Sequence, residues 1–185
     1  MSPSAADPSD RCAPSDPPGE TRDLTLADET ATATFAEGLA ACLAPGDCLL
    51  LTGPIGAGKT HFTRALIRAR LGSPSEDVPS PTFTLVQTYG PPEDEIWHAD
   101  LYRLTDTSEV QELGLADAFE TAVTVIEWPD RLGDLAPAAA LALSLIPGRP
   151  ISPEADDAPR HLRLSWRDPK WTTKLADLIP AQVQR

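Results

Sequence analysis

The stretch LLLTGPIGAGKTHF, residues 49–62, decides the fold of this chain. It continues an apolar run that begins at Cys48 and ends at Thr52, as is typical of a strand buried on both faces. A glycine-rich loop follows, and apolar spacing then predicts a helix over residues 59–71, which Gly72 closes. Strand, glycine loop and helix in this order are the context that a phosphate-binding loop requires.

The loop from Gly53 to Thr60 fits the pattern G-x-x-x-x-G-K-[ST] at every required position. Its glycines would let backbone N–H groups turn toward phosphate oxygens, and the start of the helix adds partial positive charge. Lys59 would supply a cation to the β- and γ-phosphates, and the Thr60 hydroxyl is the expected Mg²⁺ ligand. The motif predicts nucleotide binding better than hydrolysis, which also needs carboxylates for the metal and a way to position water.

Two carboxylates are predicted at the ends of strands. Asp100 comes late in the predicted strand Ile96–Leu101, and Glu127 closes the predicted strand Val123–Glu127. Ligands of open α/β sheets sit beyond the carboxyl ends of the strands. We therefore expect at least one of the two acids to lie near the metal.

Two aromatic side chains beside these acids allow more than one interpretation. His98 could belong to the site, or it could be a strand residue whose ring is satisfied by hydrogen bonds, which we favour. Trp128 could stack on a base or a partner, or it could be an ordinary rim or core residue.

The rest of the chain predicts one α/β domain, with a mixed β-sheet flanked by helices. We assign residues 23–180 to this P-loop NTPase-like domain, residues 1–22 to a disordered Pro- and Ser-rich extension, and residues 181–185 to a tail. Further strands are expected at residues 23–26, 84–89, 141–146 and 161–166. One further helix is expected from a cap at Asp28 or Thr30 through Leu43, and another from a cap at Ser108 through Leu113. Two more helices are expected over residues 116–119 and 170–179.

Composition limits the kinds of partner. The formal net charge of −13 predicts that the protein does not bind nucleic acid broadly by itself. Three cysteines, Cys12, Cys42 and Cys48, support neither a disulfide framework nor a zinc site, and we favour buried, reduced thiols for the last two. No apolar run approaches the roughly 20 residues that span a bilayer, and the N-terminus has no signal-peptide core. We therefore expect a soluble, cytoplasmic protein without a membrane partner.

Five motifs follow one another in the chain, GPIGAGKTHFTRAL, SPTFTLVQTY, HADLYRL, EVQELGL and VIEWPDRL. Together they resemble the bacterial TsaE family, also called YjeE, and HADLYRL with IEW is more specific than the phosphate loop. The resemblance implies an ATPase that uses ATP and Mg²⁺ and acts with the TsaB–TsaD heterodimer. That assembly would form threonylcarbamoyladenosine at adenosine 37 of tRNAs that read codons starting with A, so the tRNA would be reached only through the complex.

The resemblance also implies roles for individual residues. Gly56, Ala57, Gly58, Lys59, Thr60 and His61 would contact the phosphates, and Thr60 with Glu127 would hold Mg²⁺. Asp100 would belong to the metal shell or orient water. Thr82, in the switch-like segment Ser80-Pro81-Thr82, would sense the γ-phosphate, so Asp100, Lys59 and Thr82 are the predicted catalytic residues.

Three further positions are matched by looser patterns. Thr32 and Glu29 resemble early helix positions that reach the nucleotide, and Arg160 resembles a basic residue near it, while Trp128 is also assigned to nucleotide binding. The alternatives are that Thr32 is a helix-surface residue, Glu29 a first-turn acid and Arg160 a solvated charge.

One position departs from the family pattern. His61 stands where the family usually has Thr or Ser after GKT. An imidazole could donate the hydrogen bond that a hydroxyl would give to the α-phosphate, although it is bulkier. We expect ATP binding to persist with altered affinity.

Other functions of phosphate loops remain open. A small-molecule kinase would need an Arg-rich lid, which does not stand out, and a GTPase switch would need a guanine-reading N-K-x-D segment, which the sequence lacks. A nucleotide-dependent binding module with negligible turnover stays possible, because a partner could complete the site.

Overall fold

The computed structural model describes residues 19–149 and 158–179. Within these ranges the strands are β1 Glu20–Leu26, β2 Cys48–Thr52, β3 Val86–Tyr89, β4 Ile96–Asp100, β5 Val123–Glu127, β6 Leu141–Pro147 and β7 Arg160–Trp166. The α-helices are α1 Glu29–Cys42, α2 Lys59–Leu71, α3 Thr107–Gln111, α4 Leu115–Thr121 and α5 Lys170–Lys174, and 3₁₀-helices cover Pro92–Asp94 and Pro129–Leu135.

The described strands form one mixed sheet in the order β1-β7-β6-β2-β5-β4-β3. The four central strands, β6, β2, β5 and β4, are parallel to their neighbours within this group. β7 with β1 on one side and β3 on the other add antiparallel edges. The predicted α/β fold, a mixed sheet flanked by helices in a single domain, is confirmed, and the carboxyl ends of β2, β5 and β4 meet at one edge of the sheet.

The two faces of the sheet are covered by different helices. On one face α1 and α2 pack against the strands, so that Phe62 and Leu66 of α2 are fully buried in the same cluster as Leu49. On the other face a smaller cluster includes Leu101 and Ile126 together with residues of α3, α4 and the helix Pro129–Leu135. Burial on both faces explains why the central strands read as continuous apolar runs rather than alternating ones.

The first strand starts earlier than predicted. β1 begins at Glu20, and its residues 20–22 pair with residues 166–164 of β7. The assignment of residues 20–22 to the extension is therefore corrected. Backbone pairing holds them, although they offer few apolar side chains to bury. Residues 1–18, 150–157 and 180–185 lie outside the described part of the chain, and they include the rest of the predicted extension and the predicted tail.

The third strand is shorter than predicted. It covers Val86–Tyr89 rather than residues 84–89, because residues 82–84 form a turn and Leu85 has a left-handed backbone with φ +64°. A β-strand cannot continue through that conformation.

Helix ends differ from the prediction in two places. Asp28 caps α1, as one of the two expected alternatives, and its side chain accepts a hydrogen bond from the N–H of Ala31. Asp106 caps α3 in place of Ser108, whose N–H donates to the Asp106 side chain. The last helix covers Lys170–Lys174 and gives way to turns, whereas the sequence predicted residues 170–179.

Two of the three cysteines lie in the described residues, and only one of them is buried as expected. Cys48 is buried in β2 and Cys42 is half-buried, both as free thiols, and burial raises the pKa of Cys48 to about 12. None of the helices in residues 19–149 and 158–179 is long and apolar enough to cross a membrane.

Candidate functional site

The loop between β2 and α2 lies close to β6 and to the side chain of Arg160. A Cβ atom on Gly53 (φ +144°) would come within 2.3 Å of the carbonyl oxygen of Leu145 in β6. A Cβ on Gly58 (φ +97°) would come within 3.0 Å of Nε of Arg160, whereas Gly56 (φ +80°) has open space around it. The first and last glycines are therefore needed for close approach, and all three take a backbone conformation that other residues rarely adopt.

Lys59 folds back over this loop. Its Nζ donates hydrogen bonds to the carbonyl oxygens of Gly53 at 2.8 Å and Pro54 at 3.0 Å, and it lies 4.1 Å from the ring centroid of Trp128. Burial lowers the pKa of Lys59, while the two nearby strand-end carboxylates act in the opposite direction. The ammonium group thus lies between the loop and the two acids.

Glu127 ends β5 with its carboxylate buried. Its Oε2 accepts a hydrogen bond from the hydroxyl of Thr60 at 3.1 Å, and its Oε1 lies 2.9 Å from Nε2 of His98. Because an ionised carboxylate only accepts hydrogen bonds, the imidazole is the donor in the second contact. The predicted metal ligands Thr60 and Glu127 are therefore in direct contact.

Asp100 ends β4 beside Glu127. The two residues are partners in the parallel register of β4 and β5, so their side chains share one face of the sheet. Oδ2 of Asp100 accepts from the hydroxyls of Ser80 at 3.1 Å and Thr82 at 2.8 Å, and Oδ1 accepts from the N–H of Tyr102 at 3.1 Å. Two of the predicted catalytic residues, Thr82 and Asp100, are therefore in direct contact.

These groups surround a cavity of about 260 Å³ at the carboxyl edge of the sheet. Its walls combine the loop, the start of α2, the switch-like segment and both acids, and the lining residues are Ile55, Gly56, Lys59, Thr60, Ser80, Thr82, Asp100, Tyr102, Glu127 and Trp128. A concave site with several convergent polar groups is what a small anionic ligand with a bound cation requires.

Two non-glycine residues with left-handed backbones flank the acids. Trp128, directly after Glu127, has φ +60°, and its ring lies 4.9 Å from that of Tyr102 at the cavity wall. Leu85 has φ +64°, and its carbonyl oxygen accepts from the N–H of Asp100 at 2.9 Å. Such conformations are costly for residues with a Cβ and concentrate at functional sites. Trp128 is therefore a wall residue of the cavity rather than a core residue.

A second group of predicted residues meets beside the loop. Arg160, at the start of β7, donates to Oε1 of Glu29 at 3.1 Å. The ring of His61 lies with Nε2 3.1 Å from the backbone carbonyl oxygen of Glu29, so it donates there. Arg160 is only 8% exposed and lies against Gly58, so its alternative interpretation as a solvated charge is wrong. Glu29 is both a first-turn acid of α1 and a neighbour of the loop.

Six of the predicted site residues do not line the cavity, namely Glu29, Gly58, His61 and Arg160 together with the buried Thr32 and Ala57. Thr32 is fully buried, which overturns its interpretation as a helix-surface residue, and its hydroxyl donates to the carbonyl oxygen of Asp28 at 2.9 Å. Ala57 is buried in the core, and its N–H donates to the carbonyl oxygen of Pro54 at 3.1 Å. The side chains of both residues are thus buried rather than exposed at the cavity.

Sequence reasoning left His98 and Tyr102 out of the site. His98 is hydrogen-bonded, as we favoured, but its partner is the site carboxylate of Glu127. A signal was available, since His98 and Asp100 are two residues apart on one strand and must share a face. Tyr102 also lies two residues after Asp100, but β4 ends at Asp100. The two-residue alternation of a strand therefore could not predict the position of the Tyr102 side chain.

The oxygen atoms of the site suit Mg²⁺. No group of three or more His, Cys, Asp or Glu side chains within the described residues is arranged to hold a metal ion by itself. Thr60, Glu127 and Asp100 nevertheless offer hard hydroxyl and carboxylate oxygens, and Mg²⁺ is usually held by one or two carboxylates together with substrate phosphates. The donor set fits a cation shared with a phosphate ligand.

Fold and site together define an α/β protein in which a G-x-x-x-x-G-K-T loop joins a central strand to a helix beside two strand-end carboxylates. The family model described as threonylcarbamoyl adenosine biosynthesis protein TsaE matches residues 26–150. The chain belongs to the TsaE family, and the resemblance noted in the sequence is confirmed.

Comparisons with individual proteins support this membership. The chain is similar to the tRNA threonylcarbamoyladenosine biosynthesis protein TsaE of Rickettsia bellii, with 41% identity over 120 residues, which are 65% of this chain and 83% of the relative. It is 38% identical to the TsaE protein of Haemophilus influenzae over 96 residues, 51% of this chain and 60% of that one. The crystal structure of Bacillus subtilis YdiB shares the fold, with a TM-score of 0.68 at 24% identity over 86% of this chain and 95% of YdiB.

The close approach of the loop to β6 predicts unequal effects of two alanine substitutions. Gly53→Ala must displace the backbone of Leu145 and should lower the free energy of unfolding by about 2–4 kcal/mol. Gly56→Ala meets open space and should cost only the left-handed conformation, about 1–2 kcal/mol. Urea unfolding of both variants and the parent measures this difference, and equal losses would show that the contact with β6 imposes no constraint.

Proposed function

We propose that this protein is the Mg²⁺-dependent ATPase of tRNA threonylcarbamoyladenosine formation, acting with the TsaB–TsaD heterodimer on adenosine 37 of tRNAs that read codons starting with A. Membership of the TsaE family supports the pathway. The observation that carries the activity is the placement of Lys59 and Thr60 opposite Glu127 and Asp100 around one cavity.

The loop would bind the phosphates of ATP. Backbone N–H groups of Gly56 and of residues 58–61, at the start of α2, would provide donors and partial positive charge for anionic oxygens, whereas the N–H of Ala57 already donates within the loop. Lys59 would exchange its neutral carbonyl partners for phosphate oxygens, and hydrogen bonds between two charged groups are the stronger ones. The ammonium needs to move little, since it already lies at the cavity.

Thr60 and Glu127 would hold Mg²⁺, with Asp100 in the same shell. When bound, the cation neutralises charge on the phosphates and so favours attack by water. The Thr60 hydroxyl and the Glu127 carboxylate are already 3.1 Å apart, so both can turn toward one ion. Asp100, which shares Oδ2 with the hydroxyls of Ser80 and Thr82, would accept a hydrogen bond from the attacking water and link it to the switch-like segment.

The nucleotide base and ribose would lie toward Glu29, His61 and Arg160, on the α1 side of the loop. The contact of Arg160 with Gly58 and the two contacts made by Glu29 hold this side together. Thr32 would act there through the helix start that it stabilises, because its hydroxyl bonds to the Asp28 carbonyl.

The exposed apolar side chains near the rim of the cavity favour a surface that binds a protein partner. Ile55 and Tyr102 line the cavity and are 74% and 44% exposed, and Phe83, which follows Thr82 of the lining, is 86% exposed with the guanidinium of Arg103 5.1 Å from its ring centroid. Large exposed apolar side chains that cluster in this way mark interaction sites. The net charge of −13 opposes direct tRNA binding, so tRNA would be contacted through TsaB–TsaD.

Phosphate release from ATP and GTP, measured with and without the TsaB–TsaD pair, tests the activity. ATP should be preferred, and the pair should raise the rate. Lys59→Ala and Glu127→Ala should lower the rate about 100-fold or more, because each removes a charge that the transition state uses. Glu120→Ala, an exposed acid on α4, is the matched control and should keep the parent rate.

Three results would contradict this assignment. Preferential GTP hydrolysis would indicate a GTPase, and transfer to an acceptor other than water would indicate a kinase. Full turnover by the Lys59 or Glu127 variant would place the reaction elsewhere. ATP binding without turnover even in the presence of the pair would identify a binding module.

The rim predicts a separation of nucleotide binding from partner stimulation. Ile55→Ser and Phe83→Ser should keep the parent's ATP affinity within about threefold, because neither side chain donates a polar group to the cavity. Their affinity for the TsaB–TsaD pair should fall about 10-fold, the usual effect of removing an exposed apolar anchor. Glu93→Ser, exposed before β4 at the opposite edge of the sheet, is the control, and equal affinity of all variants for the pair would exclude this rim as the contact.

A further inference from the structure

His98 is a polar side chain in the core, and its register partner on β3, Gln87, is polar as well. It lies on the same face of β4 as Ile96, the face that α2 covers, and it is completely buried. Its partner in the register of β4 and β5 is Val125, which is also fully buried. Among the described residues its Nδ1 has no hydrogen-bond partner, so an apolar side chain would suit this position better if packing alone mattered.

The other ring nitrogen makes one contact, and that contact is to the site. Nε2 donates to Oε1 of Glu127 at 2.9 Å, while Oε2 of the same carboxylate accepts from Thr60. The side chain of Glu127 is only 3% exposed, so water cannot replace the imidazole easily. The carboxylate is thereby held from two sides, by the start of α2 and by the middle of β4.

We propose that His98 is a positioning residue that fixes the orientation of the Glu127 carboxylate for Mg²⁺. This inference rests on the proposed function, in which Thr60 and Glu127 hold the ion. Thr60 belongs to the ligand set itself, whereas His98 contacts only the far oxygen of the carboxylate and can keep that contact while the near oxygen serves the ion. Hydrogen bonds behind a ligand carboxylate orient it and raise its affinity for metal.

A merely structural role would predict different behaviour. It would require the ring to be satisfied at both nitrogens, or to be replaceable by any side chain of similar volume without effect on the metal. The unpartnered Nδ1 argues against the first case. The second case is open to experiment, because Gln and Asn imitate different ring nitrogens: the amide nitrogen of Gln reaches the position of Nε2, and that of Asn the position of Nδ1.

The test is the affinity for ATP of the full chain, measured by isothermal titration with Mg²⁺ and again with EDTA. For the parent, Mg²⁺ should strengthen binding. His98→Asn should weaken binding with Mg²⁺ by 10- to 100-fold and leave binding in EDTA within about twofold of the parent. His98→Gln should restore binding with Mg²⁺ to within about threefold of the parent.

Thermal unfolding of each variant shows whether it is folded, and His98→Leu provides a second variant that suits the apolar surroundings. It should lose Mg²⁺-dependent affinity as His98→Asn does. Parent-like Mg²⁺ dependence of His98→Asn or His98→Leu would overturn the positioning role, as would equal losses in Mg²⁺ and in EDTA. If Mg²⁺ did not change the ATP affinity of the parent, the proposed function itself would be contradicted. The experiment therefore distinguishes failure of the positioning role of His98 from failure of the proposed function.

Discussion

The hydrogen bond from Thr60 to Glu127 joins the first turn of α2 to the carboxyl end of β5, and the arrangement of the site depends on this connection. It is possible because β2 and β5 are parallel neighbours, so the loop after β2 emerges beside the last residue of β5. The parallel pairing of β4 with β5 then brings Asp100 to the same edge. If either pairing were antiparallel, one acid would lie at the opposite end of the sheet.

The site also accounts for features that would weaken an ordinary domain. Trp128 and Leu85 have left-handed backbones, each next to one of the acids, and His98 leaves a buried ring nitrogen without a partner. Gly53 allows the loop to lie against β6 at a distance that no other residue permits. Each of these features is unfavourable for stability, and each belongs to a residue that contacts or adjoins Glu127, Asp100 or the loop. Unfavourable local conformations are expected where function opposes local stability.

The sequence predicted those parts whose signals are local. The strand Cys48–Thr52, the helix Lys59–Leu71 and the strand Val123–Glu127 have the predicted bounds, because apolar runs and glycine punctuation define them. The pairing of Glu20 with β7 and the contact of Glu29 with Arg160 join residues more than 100 positions apart, and no local pattern encodes such contacts. The placement of His98 against Glu127 likewise required the sheet order.

The role of the Thr60 hydroxyl tests the central claim most directly, through the change in ATP affinity on adding Mg²⁺ to the parent, Thr60→Ser and Thr60→Val. Serine keeps the hydroxyl that contacts Glu127, whereas valine keeps the shape of threonine and lacks it. We expect Mg²⁺ to strengthen ATP binding by the parent and the serine variant and to leave the valine variant nearly unchanged. A valine variant with the parent's full Mg²⁺ dependence would contradict the account.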